Sequence, residues 1–581
     1  MTLDRLKILK AIIFVTATLV ILRLFYWQFI SKINDTSQNL NQDEIPASRG
    51  EIYTSDNFPL VTNQEAFLFY GKPKEIENPK ESAVKLAPFL ISEKFATREA
   101  ELTDDEKKQK KDEIKKQEES LYKKFTEKYL YWVQIARKIP LATKQKIENL
   151  QITGFGFEND EKRLYPEASM GAQFLGFVGS DKLGRDTGYF GLEGYYDNKL
   201  RGKPGRLGQD TDPFGLPILV REFRPLASHK GESLHLSINR AIQFMVEDKL
   251  KTAVEKYGAK DGTVIVADPK TGKILALATY PAYNPANWQG YDENLYKNKA
   301  VADTYEPGST FKLITMSAAI DLGVVKPNTK CNICTGPRQI GGFEISTWNK
   351  KYYPDSTMTE VIQHSDNIGM TFVAEKLGVD KFYDYLSRFG FGKLTNIDLQ
   401  EESPGSIRDK KDWRPIDLAT ASFGQGIAVT PIQMIQATAA IANGGKLISP
   451  KIVEKIDSSE DEAIVKPEET RQVISPQTAA QITEMMVYAV EKGEARAFAP
   501  KGYRIAGKTG TAQIPVAGHY DPNKTIASFI GFAPANNPKF VMLVRFTEPS
   551  SSVFGSETAA PTFFSISKEI FNYFGISPTE K

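Results

Sequence analysis

Ser309 and Lys312 stand three residues apart in Asp303-Thr304-Tyr305-Glu306-Pro307-Gly308-Ser309-Thr310-Phe311-Lys312, directly ahead of the apolar run from Leu313 to Ile320. Pro307 and Gly308 break the chain before the serine, and the run after it predicts a buried helix beginning at Ser309. A spacing of three puts Lys312 on the same helical face, about one turn away. A serine in a first turn also lies beside free backbone N–H groups. An ammonium held among apolar neighbours and other cations binds its proton less tightly. Lys312 can then accept a proton from Ser309 and turn a weak nucleophile into a useful one. Two residues at a fixed spacing are common, so the chemistry depends on whether partners exist.

Two later stretches supply them. The first is His364-Ser365-Asp366-Asn367-Ile368-Gly369, and the second is Gly507-Lys508-Thr509-Gly510-Thr511-Ala512-Gln513. The Ser365 hydroxyl beside Lys312 completes a proton route to a leaving amine. The Asn367 carboxamide accepts and donates at once, which suits holding a peptide amide and orienting Lys312. Asp366 is expected to point away and fix the turn. Lys508 offers positive charge to a substrate ending in a carboxylate. Thr509 and Thr511 place hydroxyls on one face of a strand, and Gly510 between them removes bulk where a substrate lies flat. The N–H groups of Ser309 and Thr511 together make an oxyanion hole.

A rival reading uses the same residues. Gly502-Tyr503-Arg504-Ile505-Ala506-Gly507-Lys508-Thr509 matches the phosphate-binding loop Gly-x-x-x-x-Gly-Lys-Thr. Such a loop follows an apolar strand and opens a helix. Here Phe498-Ala499-Pro500-Lys501 precedes it, and Gly510 and Pro515 follow. Context therefore argues against a nucleotide.

The elements that must position these residues are spread over a long chain. With 581 residues, two or more domains are expected. Lys and Arg number 74 against 72 Asp and Glu, a balance that gives no nucleic-acid bias. Arg5, Lys7 and Lys10 precede an apolar stretch, and Ile8 to Ile30 is long enough to span a bilayer if Lys10 and Arg23 snorkel. No small-residue cleavage site follows, only interfacial aromatics, which favours an uncleaved anchor over a signal peptide. The basic amino terminus, residues 1–7, is then cytoplasmic, and the chain beyond residue 30 lies outside. Residues 31–225 read as a non-catalytic support region with a charged insert at about 97–125, a solvated helix or helical hairpin. From residue 226 the pattern changes. A strand from Glu232 to Ile238, a helix from Ala241 to Ala253 and an apolar hairpin around Asp268–Lys273 come before the Ser309 helix. Two more strands, Ile526–Phe532 and Phe540–Phe546, and a closing helix Pro561–Tyr573 follow Lys508. These predict an α+β fold with a sheet of about five strands, helices on both faces, a mostly helical region between the motifs, and Gly510 on an exposed edge strand open to β-addition. Cys331 and Cys334 allow a structural pair, reduced or disulfide-linked, a zinc site needing two further ligands, or a redox role.

Ser-x-x-Lys, Ser-Asp-Asn and Lys-Thr-Gly in that order are a signature of penicillin-recognising serine acyltransferases. The chain resembles the class B penicillin-binding proteins, single-pass peptidoglycan transpeptidases, over nearly its full length. Supporting stretches are Arg49-Gly50, Arg163-Leu164-Tyr165-Pro166, Gly191-Leu192-Glu193 and Ser422-Phe423-Gly424-Gln425-Gly426-Ile427-Ala428-Val429-Thr430-Pro431. The form of the motifs is more similar to division and sporulation members than to elongation members.

The resemblance implies that Ser309 is acylated, Lys312 is its base, and Ser365 and Asn367 form the second motif. It implies that Lys508, Thr509 and Thr511 hold the terminal carboxylate of a donor ending in D-Ala-D-Ala, and that beta-lactams acylate Ser309 instead. It implies no metal or organic cofactor, a pedestal over residues 31–225, a transpeptidase domain over 226–581, and a partner glycosyltransferase with division or elongation proteins. Asn298-Lys299-Ala300 departs from the usual Asn-Arg-Ala, and Asn239 stands where Asp is common; both keep polarity. The competing readings are a D,D-carboxypeptidase that admits water to the same acyl-enzyme, and a catalytically silent beta-lactam sensor or scaffold.

Overall fold

The computed structural model describes residues 3–25, 44–95, 104–127, 129–182, 184–206, 227–457, 462–465, 470–516 and 519–578. The chain forms two compact units. One comprises residues 1–47 and 203–229; in it the strand Glu44–Ile45 pairs with Gly205–Arg206. Its helix, Leu3–Phe25, covers most of the predicted anchor, and residues 26–30 of that anchor lie outside the described residues. Among the described residues no helix is long and apolar enough to cross a membrane.

The other unit, residues 48–202 and 230–581, holds all the candidate chemistry. Its first part is built on a sheet whose strand Pro59–Gly71 pairs with Ile52–Tyr53, Val133–Ile139 and Phe155–Leu164. Two strands from beyond residue 226, Ser233–Leu236 and Val453–Asp457, extend the same sheet through Ile52–Tyr53. The support region and the later chain thus share a sheet across the 225/226 boundary. The described part of the charged insert is a helix, Asp104–Thr126, lying against Pro79–Phe95. Only its C-terminal turns are anchored by buried apolar groups, Leu121 and Phe125, so its charge run is a solvated face.

The stretches Arg49-Gly50, Arg163–Pro166 and Gly191–Glu193 meet in one place. The fully buried Glu193 carboxylate accepts from Arg163 Nε and Arg49 Nε, both at 2.7 Å, and Arg49 Nη1 reaches Asp197 at 2.8 Å. The two guanidiniums hold the Glu193 carboxyl below its usual range against the opposing effect of burial. Their spacing in sequence gives no hint of this cluster.

The second part contains the predicted five-stranded antiparallel sheet. Its strands are β1 (Asp261–Ala267), β2 (Ile274–Tyr280), β3 (Ala506–Val516), β4 (His519–Ala533) and β5 (Phe540–Thr547), in the order β2-β1-β5-β4-β3. Every residue of β1 is buried, as expected of a strand covered on both faces. Helices α1 (Arg240–Tyr257) and α6 (Ala559–Tyr573) cover one face. The other carries α2 (Lys312–Asp321), α4 (Asn367–Arg388) and α5 (Pro431–Ala442) in one continuous core. Asn239, the departure from Asp, caps α1 by accepting from Ile242 N at 3.1 Å, a role both residue types fill. Lys299 pairs with Asp261 at 2.8 Å. Cys331 and Cys334 are joined as a fully buried disulfide, so neither thiolate is free for zinc.

Candidate active site

Ser309 is not the first residue of the α-helix. It lies in a single 3₁₀ turn, Gly308–Phe311, and α2 begins at Lys312. The turn enters through Gly308 at φ +54°, a left-handed conformation that a side chain would strain. Gly308 N donates to Gly424 O at 3.1 Å, and Tyr305 and Val429 exchange two backbone hydrogen bonds at 2.9 Å. The Ser422–Pro431 stretch therefore backs the serine turn before running into α5, which Thr430 caps.

Lys312 is fully buried because α2 sits inside the core, buried from Lys312 to Ile320. Its ammonium donates to Ser365 O at 2.5 Å, Asn367 Oδ1 at 2.8 Å and Ser365 Oγ at 3.3 Å. Burial, and next the Lys508 charge, push Lys312 well below the usual lysine range.

Ser365 occupies the joint between α3 (Met358–Gln363) and α4, at φ +56°. Asp366 N bonds back to Val361 O at 2.9 Å, closing α3, while Asp366 Oδ1 accepts from Ile368 N and Gly369 N to open α4. Asp366 thus fixes the turn, as the sequence led us to expect. Ser365 is the left-handed residue one past His364, the C-cap of α3. Asn367 is clamped at both ends, its Nδ2 donating to Ser346 O at 3.0 Å.

Lys508 lies in β3, not at the opening of a helix, which removes the phosphate-loop reading. Its buried ammonium donates to Ser365 Oγ at 3.1 Å, Thr509 O at 3.0 Å and Thr509 Oγ1 at 3.2 Å. Burial lowers its pKa to about 8. Thr509 and Thr511 alternate on the half-buried side of β3, an edge strand, as predicted. Thr511 Oγ1 already accepts from Gly555 N at 3.0 Å.

Gly510 has a packing reason beside the one its spacing suggested. A Cβ there would meet Ser528 Oγ at 2.5 Å, Thr310 Cγ2 at 2.8 Å and Pro307 O at 3.3 Å. The missing side chain lets the serine turn seat against β3. The Ser346 carbonyl and the Gly424 carbonyl were invisible to sequence reasoning, because a backbone acceptor carries no residue signature.

Two family models cover the chain: the penicillin-binding protein dimerisation domain over residues 44–236, and the penicillin binding protein transpeptidase domain over residues 262–570. The chain belongs to the class B penicillin-binding proteins. This penicillin-binding protein is 34% identical over 570 residues to Stage V sporulation protein D of Bacillus subtilis, covering 96% of this chain and 83% of that one. It is 32% identical over 449 residues to the peptidoglycan D,D-transpeptidase FtsI of Escherichia coli, covering 77% and 73%. Its fold is that of penicillin binding protein 3 from Mycobacterium tuberculosis, solved with aztreonam, at a TM-score of 0.69, 24% identity and coverage of 93% and 99%. The similarity is to division and sporulation members, and membrane association goes with the family. Its reaction is serine-type D,D-transpeptidation of peptidoglycan stem peptides.

Proposed function

We propose that Ser309 is the acylated nucleophile and that Lys312, Ser365 and Lys508 form its proton route. The observation that carries the proton route is one continuous chain of contacts: Lys312 Nζ to Ser365 Oγ at 3.3 Å, and Ser365 Oγ to Lys508 Nζ at 3.1 Å. Neutral Lys312 takes the proton as Ser309 Oγ attacks the penultimate D-Ala carbonyl. The peptide C–N bond then breaks, and the Ser365 hydroxyl passes a proton to the departing D-Ala nitrogen. Of the three acceptors around Lys312, only the Ser365 hydroxyl can turn and donate to an uncharged amine, which suits it to the relay. The amine of a neighbouring stem peptide resolves the ester.

Asn367 holds Lys312 and a substrate amide. Lys508, Thr509 and Thr511 take the terminal carboxylate, and the N–H groups of Ser309 and Thr511 receive the oxyanion. Gly510 lets the donor's strand and the serine turn approach. A cavity of about 570 Å³ beside β3, lined by Glu306, Arg408, Gln513 and Pro515 among others, leaves room for the rest of the stem. Beta-lactams enter the same site.

The domain reading is a cytoplasmic tail at 1–7, an anchor at 8–30, a pedestal at 31–225 and the transpeptidase at 226–581. The anchor reading rests on the sequence run Ile8 to Ile30, of which the helix Leu3–Phe25 carries Phe14, Leu19, Ile21 and Leu24 exposed. The catalytic part then stands outside the membrane, where the pedestal docks a glycosyltransferase and division or elongation proteins.

The test is to label the full chain in detergent with a fluorescent penicillin and map the adduct by peptide mass. An adduct on Ser309, absent from Ser309→Ala, is the expected outcome; an adduct elsewhere overturns the assignment.

A further inference from the structure

A second pair of side chains crosses the same gap as Lys508 and Ser365. The Trp348 and Phe554 rings meet edge to face, with centroids 5.5 Å apart and planes at 66°. Trp348 belongs to the loop on the Ser365 side. Its indole N–H donates to His364 O at 3.4 Å, and Ser346, two residues before it, accepts from Asn367. Tyr353 of the same loop stacks on His364 at 3.8 Å. Phe554 belongs to the loop on the β3 side, where the next residue, Gly555, donates to Thr511 Oγ1. Phe554 N in turn donates to Ser552 Oγ at 3.2 Å. Each ring is therefore fastened to one wall of the cleft by the residues that build that wall.

The two crossings differ in chemistry and depth. Lys312 and Lys508 are 0% and 3% exposed, whereas Trp348 and Phe554 are 48% and 38% exposed. The ammonium groups are closed off from solvent, whereas the rings make an apolar bridge open to it. A large exposed aromatic contact with no packing role in the core needs another reason for being there.

We propose that the Trp348–Phe554 bridge shields the acyl-enzyme from water and so sets transfer over hydrolysis. This rests on the reading of Ser309 as the acylated residue. In either outcome the ester bond from the acyl carbon to Ser309 Oγ breaks, and Oγ regains a proton. With an amine, a C–N bond forms, the amine loses a proton, and the product is a cross-link. With water, a C–O bond forms, and the product is a trimmed peptide with a free carboxylic acid. An acceptor arriving on a stem peptide covers apolar ring surface as it enters, so its binding offsets the parting of the rings. Water brings no such contact, and exclusion of water from a closed site suppresses this side reaction.

The test gives the full chain in detergent a stem pentapeptide ending in D-Ala-D-Ala together with an acceptor amine, and counts cross-linked against trimmed product by mass spectrometry. Trp348→Ala and Phe554→Ala are each expected to raise the trimmed-to-cross-linked ratio at least fivefold and to shorten the lifetime of the penicilloyl-enzyme. The double variant should exceed the larger single effect by little, since both changes remove one contact. Trp348→Phe, which keeps a ring, should stay within twofold of the parent. Were Trp348→Ala to lose its fold, Phe554→Ala and Trp348→Leu make the same comparison. The proposal is overturned if the ratio stays within twofold in the alanine variants while penicillin still labels Ser309. Failure of the parent chain to label at Ser309 instead defeats the assignment of the nucleophile.

Discussion

Lys312 and Lys508 aim their ammonium groups at one oxygen, the Ser365 hydroxyl, from 3.3 and 3.1 Å. Burial disfavours the charged form of both ammonium groups, and the Lys508 charge adds to this at Lys312. Among the described residues no carboxylate is in hydrogen-bond contact with either ammonium group.

Neutralising one member should therefore retune the other. In Lys508→Ala the Lys312 amine loses its cationic neighbour, its pKa rises, and more of it is protonated at a given pH. The acid limb of the pH profile for penicillin acylation should move to higher pH, with acylation at pH 7 down about 10- to 100-fold from the lost charge-assisted contact. In the parent, binding of a substrate carboxylate should weaken as pH rises through about 8, where Lys508 loses its proton. Stopped-flow acylation between pH 5 and 10 reads both limbs.

Asn367→Ala removes an acceptor from Lys312 and a donor from Ser346 O. Acylation should fall by about 10²-fold, the low end of what a misplaced proton acceptor costs. The thermal midpoint should drop by the equivalent of about 1–2 kcal/mol for the lost hydrogen bonds.

Gly510→Ala places a methyl within 2.8 Å of Thr310 Cγ2 and 2.5 Å of Ser528 Oγ. Overpacking of this kind costs about 1–3 kcal/mol. Here the strain falls on the serine turn, so acylation should suffer more than stability does. Denaturant midpoints measured beside penicillin labelling rates separate the two effects.

Glu193→Gln leaves Arg49 and Arg163 buried without their shared carboxylate, and breaking such a pair costs about 3–5 kcal/mol. Thermal melting should show this loss. At temperatures where the folded form still dominates, labelling of Ser309 should stay near parental, because the cluster lies outside the Ser309–Lys508 site.

Glu247 tests pH dependence away from the site. It accepts from Gly171 N at 2.7 Å and Gln243 Nε2 at 2.8 Å, yet burial raises its carboxyl to about 7. A carboxyl whose folded pKa is raised contributes fully below its unfolded value of 4.5, and that contribution is lost as pH rises through about 7. Melting temperatures of the parent should fall over that window relative to those of Glu247→Gln.

Much of the site was legible because its chemistry is carried by side chains in short runs. Ser309 and Lys312, Ser365 and Asn367, and Lys508 to Thr511 each sit within a few residues, next to breakers or periodic apolar runs that fix the local element. What escaped was set by contacts between runs. The left-handed Ser365, the carbonyls of Gly424 and Ser346, and the packing reason for Gly510 depend on which backbones end up adjacent. The strand Ser233–Leu236 was legible as a strand, yet its pairing with the support region was not, because alternation gives a face and not a partner.

By itself the sequence determined which groups are available and their order: a serine with a lysine one turn on, a second serine with an asparagine, and a lysine leading a strand of small polar residues. The tertiary structure alone decided that Lys312 and Lys508 are buried together around a single hydroxyl. It also decided that Glu193 lies between two arginines and that Trp348 faces Phe554. The physical reason is that local propensity acts over a few residues, whereas burial and charge coupling depend on distances between segments that are remote along the chain.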